Sequence, residues 1–127
     1  MNHDNEKKRI LVVDDDQDIL TLERKILERE GYIVSCANDG TEAMKKLELV
    51  QFDLILLDIM MPGIDGFEVS RAIQREVGKK SIPIVFVTAR DDSESMREGF
   101  RSGGTVFLSK PFTSNQLIRL VKAMIGQ

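Results

Sequence analysis

The chain has no tryptophan, one tyrosine, three prolines, one cysteine and one histidine among its 127 residues. Cys36 on its own excludes an internal disulfide, and its setting in Tyr32-Ile33-Val34-Ser35-Cys36 reads as a small buried strand residue rather than a reactive thiol. The lone histidine, His3, lies in a polar leader where no fold would hold it. Neither a histidine-based phosphocarrier nor a His-ligated zinc enzyme fits that composition. No apolar run approaches the roughly 20 residues of a membrane span, and the polar start carries no apolar segment able to act as a signal peptide. The expectation is a soluble cytoplasmic protein without membrane contact. A stripe of one charge is missing as well: 18 Lys and Arg are scattered among 21 Asp and Glu, for a net charge of -3. That dispersal argues against direct nucleic-acid binding.

What is present is a recurrence. Ile10-Leu11-Val12-Val13 runs into Asp14-Asp15-Asp16, Leu54-Ile55-Leu56-Leu57 into Asp58, Ile84-Val85-Phe86-Val87 into Thr88, and Val106-Phe107-Leu108 into Ser109-Lys110-Pro111. Between the apolar runs, including one near Ile33, lie segments with helical spacing, so the chain reads strand, helix, strand, helix to its end. This is the pattern of an α/β sheet. Runs 10–13 and 54–57 are continuously apolar, as expected of strands covered on both faces, which puts them in the middle of the sheet. The length suits one domain, with residues 1–8 a polar leader and 9–127 the folded unit.

The helices carry their own punctuation. The first, about 17–30, is predicted to turn Ile19, Leu22 and Ile26 inward, with Gly31 as a left-handed stop. Asp39 followed by Glu42 opens the second, which buries Ala43, Met44 and Leu47. Phe67, Val69, Ile73 and Val77 form the inner stripe of the third. Thr113 and Gln116 stand in capping-box spacing before Leu117, Val121 and Met124. The fourth, about 92–102, offers mainly Met96 and Phe100 to a core and contains Gly99, so it is expected to be the least firmly anchored.

Parallel strands joined by crossover helices place ligands beyond their carboxyl ends, so Asp14, Asp15 and Asp58 are expected to converge there. Carboxylates about 5 Å apart repel by about 3 kcal/mol per pair at an effective dielectric near 20, and such a cluster calls for a cation or raised pKa values. With no histidine or cysteine to hand, a hard oxygen-liganded ion fits, Mg2+ before Ca2+. Lys110 can pair with a carboxylate at rest and with a phosphoryl group on its arrival, and the Thr88 hydroxyl can donate to a phosphoryl oxygen. Asp16, Asp18 and Asp65 read instead as helix-cap and turn residues.

These segments, together with Asp58-Ile-Met-Met-Pro-Gly-Ile-Asp-Gly66 and Val87-Thr-Ala89, give a chain that resembles the receiver domain of two-component response regulators over nearly all its length. The resemblance implies a flavodoxin-like (βα)5 domain: a five-stranded parallel sheet of order 2-1-3-4-5 with helices on both faces. It implies that Asp58 accepts a phosphoryl group from a phosphohistidine on a sensor histidine kinase or phosphotransfer protein. Mg2+ would be bound by Asp15, Asp58 and the Met60 carbonyl, with Asp14 acting through water, while Lys110 and Thr88 hold the phosphoryl group. It further implies a cis Lys110-Pro111 bond and an inward swing of Phe107. That swing would reshape the face of the fourth helix, fifth strand and fifth helix toward an output partner or a phosphorylation-dependent homodimer. Such a chain is not an enzyme beyond its own phosphorylation and slow dephosphorylation.

Some positions depart from the commonest pattern. Gly104 stands where alanine is frequent, and neither Met60 nor Arg90 offers a carboxylate or amide to orient an attacking water. Two other readings compete. Asp14-x-Asp16 imitates an aspartate-nucleophile phosphohydrolase in which Asp14 would attack, but Gln17 follows where a small residue is expected, and Asp58 with Pro62-Gly63 would go unexplained. A flavodoxin-like cofactor binder needs a phosphate loop after the first strand, where three aspartates would repel the phosphate.

Overall fold

The computed structural model describes residues 7–61, 65–77, 82–89, 93–102 and 106–126. Its elements alternate: β1 (Arg9–Val13), α1 (Gln17–Arg29), β2 (Ile33–Ala37), α2 (Gly40–Leu49), β3 (Leu54–Leu57), α3 (Gly66–Val77), β4 (Ile84–Thr88), α4 (Ser93–Arg101), β5 (Val106–Ser109) and α5 (Ser114–Ile125). All pairings are parallel and the sheet order is β2-β1-β3-β4-β5. The continuously apolar β1 and β3 do lie inside the sheet, and their alternating side chains feed two cores. Leu11, Val13, Ile55, Leu57, Ile84 and Phe86 face one side with Ala43 of α2 and Phe67, Val69 and Ile73 of α3. Ile10, Val12, Leu54, Leu56, Val85 and Val87 face the other with Leu20 and Leu27 of α1 and Leu117 and Val121 of α5. Helices therefore cover both faces, and every strand residue in the middle is withdrawn from water.

The helix boundaries follow local chemistry. Asp16 caps α1 by accepting from the backbone of Asp18 and Ile19, and Gly31 leaves the helix with φ 97°. Asp39 caps α2 by accepting from Glu42 N–H, and Thr113 with Gln116 forms the full capping box of α5. The Lys110-Pro111 bond is cis. Among the described residues no helix is long and apolar enough to cross a membrane.

Two expectations need correction. The stripe that α1 buries is Leu20, Glu23 and Leu27, whereas Leu22 is 46% exposed and Ile19 and Ile26 are half-buried. The helix has apolar residues on two stripes one residue apart, and the docking against the sheet selects the one containing an acid. Cys36 is half-buried rather than buried, because β2 is an edge strand; burial still pushes its thiol above the ordinary range, Arg24 and Lys46 pulling the other way. His3, Pro62, Gly63, Arg90, Gly104 and the side chains of Val77 and Phe100 lie outside the described residues.

Candidate functional site

Three backbone hydrogen bonds carry the sheet's ladder one residue beyond the strands and thereby fix the site. Asp14 N–H donates to Ala37 O at 3.1 Å, Asp58 N–H to Val13 O at 3.0 Å, and Lys110 N–H to Thr88 O at 2.9 Å. The polar residues that end β1, β3, β4 and β5 thus share one edge of the sheet. Asp14 and Asp58 are 1% and 5% exposed, Thr88 is fully buried, and Asp15 faces solvent.

Lys110 joins the two buried acids. Its Nζ donates to Asp14 Oδ2 at 2.6 Å and to Asp58 Oδ2 at 3.0 Å. The other oxygens are held by the backbone, Asp14 Oδ1 by Asp16 N–H at 2.9 Å and Asp58 Oδ1 by Met60 N–H at 3.0 Å. Burial raises the pKa of Asp14, and the Lys110 and Asp16 hydrogen bonds offset only part of that rise. For Lys110 burial acts downward, yet its hydrogen bonds to Asp14 and Asp58 prevail and the pKa is raised, so the ammonium persists.

One carboxylate oxygen from each of Asp14, Asp15 and Asp58 lies within 4.8 Å of the others. Among the described residues Lys110 is paired with two of these three carboxylates, and the donors are all hard oxygens, a set that fits Mg2+. Met60, the fourth expected contributor, follows directly, its side chain 54% exposed. The start of α3 presses on the same turn: a Cβ on Gly66 would lie 2.4 Å from Asp58 O and 2.6 Å from Ile59 Cα. Gly66→Ala is expected to cost about 1–3 kcal/mol by forcing that backbone aside. Urea unfolding checks this, and an unchanged midpoint would show that the turn has room.

The structure adds one residue that sequence reasoning missed. Glu23 is 1% exposed on the inner face of α1, and its Oε1 has no hydrogen-bond partner. Asp14 and Asp58 continue the same face of β1 and β3 that α1 covers, and all three acids repel one another. Burial, reinforced by Asp14 and Asp58 and opposed by Lys110, pushes the Glu23 pKa up to about 8. The available signal was an acid at the i+3 position between Leu20 and Leu27.

A parallel 2-1-3-4-5 sheet with clustered acids, a buried threonine and a lysine at its carboxyl edge defines a class of signalling domain, and comparison with known proteins agrees. The chain belongs to the response regulator receiver domain family, whose pattern matches residues 10–122. It is 43% identical over 125 residues to the transcriptional regulatory protein ResD of Bacillus subtilis, covering 98% of this chain and 50% of ResD. The chain spans about half the length of the curated relatives it matches. Among solved structures, the chemotaxis protein CheY4 of Vibrio cholerae superposes with a TM-score of 0.89 at 33% identity, covering 93% of this chain and 98% of that one. The response regulator TrrA of Thermotoga maritima, solved in complex with Mg2+-BeF, gives 0.82 at 38% identity, with 92% and 98% covered.

Proposed function

We propose that this chain is a Mg2+-dependent phosphoacceptor, residues 9–127 forming the receiver domain, in which Asp58 takes a phosphoryl group from a phosphohistidine on a sensor histidine kinase or phosphotransfer protein. The observation that supports it most is the Lys110 ammonium held between Asp14 and Asp58 at the end of the central strand. An Asp58 oxygen attacks phosphorus as the bond to the imidazole nitrogen breaks, and the electron pair of that bond stays with the imidazole. Lys110 then follows the new negative charge onto the phosphoryl oxygens, and Thr88 donates its hydroxyl to one of them. Asp15, Asp58 and the Met60 carbonyl would hold Mg2+, with Asp14 acting through water. That ion, when bound, supplies further neutralisation of the acceptor and the phosphoryl oxygens.

The modified state differs from the resting one in its Thr88 and Lys110 contacts, and that difference is what shifts the face of α4, β5 and α5 toward an output partner or a second copy of the chain. The domain acts in the cytoplasm and catalyses only its own phosphorylation and slow dephosphorylation. ResD is by name a transcriptional regulator, twice the length of this chain, and contact with nucleic acid is not assigned to the residues present here.

A small-molecule phosphodonor tests the proposal. Wild type is expected to gain one phosphoryl group only with Mg2+ present, and Asp58→Asn to gain none; equal incorporation by both would remove the reading. Neither Met60 nor Arg90 supplies a carboxylate or amide to orient an attacking water at the acceptor. The phosphoryl group should therefore be lost slowly, and replacing both residues by water-orienting ones that carry a carboxylate or amide should speed its loss. An unchanged decay rate would contradict this.

A further inference from the structure

The aromatic residues of the sheet form a short ladder that ends on the backbone of α4. Phe67 of α3 meets Phe86 of β4 edge-on at 5.5 Å, and Phe86 meets Phe107 of β5, its partner in register, at 5.1 Å with the rings tilted by 41°. Side chains alternate along a strand, so Phe86 and Thr88 share one face of β4, and Phe107 and Ser109 share the same face of β5. Thr88 is thus the diagonal neighbour of Phe107, within reach of its ring. Phe86 is fully buried, whereas Phe107 is only half-buried.

One edge of the Phe107 ring lies against Gly99 of α4. A Cβ built there would stand 2.6 Å from both Cε1 and Cζ of Phe107 and 3.0 Å from Cε2 of Phe86. The α4 backbone therefore rests on the ring with no side chain between them. The same end of the helix is tied to α3. Ser70 Oγ donates to Ser102 O at 2.8 Å, Ser102 Oγ to Gly99 O at 2.8 Å, and Arg71 pairs with Glu98 at 2.9 Å. Helix and ring share one fixed space.

We propose that Gly99 is the seat that holds Phe107 in its resting position, so that filling the seat drives the ring toward Thr88 and the domain toward its phosphoryl-bound state. On that reading the Lys110 contacts to Asp14 and Asp58 are the ones that a phosphoryl group would replace. A methyl at position 99 must displace either the ring or the helix, and the Ser70 and Arg71 contacts oppose movement of the helix. The inference rests on the phosphoacceptor reading above and adds to it the residue that sets the balance between the two states.

The test uses the whole chain and beryllofluoride, a phosphoryl mimic, titrated in the presence of Mg2+. Gly99→Ala is expected to bind it about fivefold or more tightly than wild type, the lower end of ordinary coupling between two sites. In a Phe107→Ala background the same substitution should change nothing, because the ring it acts through is gone. Equal or weaker binding by Gly99→Ala, or the same gain without the ring, would overturn the inference and leave the phosphoacceptor reading intact. Wild type failing to bind beryllofluoride would defeat both. Thermal unfolding supplies a second reading should the single variant fold poorly. Gly99→Ala with Phe107→Ala should be more stable than the two separate losses sum to, and strict additivity would count against a shared seat.

Discussion

Lys110→Ala is expected to slow phosphoryl transfer to Asp58 by about 100- to 1,000-fold, the usual cost of removing one preorganised electrostatic partner from a transition state. The side chain is 18% exposed and its Nζ lies within 3.0 Å of both buried carboxylates, so nothing in solvent replaces it. Removing it also leaves Asp14 and Asp58 side by side without a counter-charge, a loss of about 3–5 kcal/mol of stability when a buried pair is broken from one side. On the proposed reading Mg2+ would bind the same acids in the folded state only, so adding it should restore part of that stability without restoring the rate. Lys110→Arg keeps the charge but spreads it over a planar fork that cannot sit as a point between two oxygens, and it should recover stability better than rate. Single-turnover phosphorylation by a small-molecule donor at saturating Mg2+ measures the effect. An unchanged rate for Lys110→Ala would mean that the ammonium is only a structural counter-ion.

The second large effect concerns stability against pH. Glu23 has a folded-state pKa of about 8 against an ordinary value of 4.5, so the folded chain binds the extra proton across that window. Below pH 4.5 the acid is neutral in both states and its ionisation contributes nothing. As pH rises from 4.5 to 8 the unfolded chain releases the proton and the folded chain keeps it, so stability falls by about 1.4 kcal/mol per unit. Above pH 8 both states are ionised and the loss levels off at about 3–5 kcal/mol. Glu23→Leu places an aliphatic side chain between Leu20 and Leu27 and removes the proton linkage. Urea unfolding at pH 5 and pH 8 should show the variant gaining several kcal/mol relative to wild type on moving to the higher pH. Parallel profiles for the two proteins would mean that Glu23 is ionised or hydrated where it sits.

Much of this is legible in the amino-acid sequence. Uninterrupted apolar runs marked β1 and β3 as interior strands, and one polar residue at the end of each run marked the sheet edge. Helix caps at Asp39 and Thr113 were equally plain, because capping is decided by neighbours in sequence. What escaped depends on contacts between distant segments. Helix α1 carries two apolar stripes about 100° apart, and nothing local states which one meets the sheet. That choice is what buries Glu23 beneath the site. The approach of Gly99 to Phe107 and of Gly66 to the Asp58 backbone are likewise matters of tertiary fit, invisible in composition or periodicity. The acids Asp14, Asp15 and Asp58 and the cation Lys110 stand out because their chemistry repeats at matched strand ends; the hydrogen bonds that lock Asp14, Asp58 and Lys110 there do not.

Locating the adduct tests the central claim most directly. The protein is treated with a small-molecule phosphodonor and Mg2+, the acyl phosphate is trapped by reduction with borohydride, and the modified residue is read by fragment mass spectrometry. The account predicts a single modified position, Asp58. Modification at Asp14 instead, as an aspartate-nucleophile hydrolase would show, or no adduct in the presence of saturating Mg2+, would contradict it.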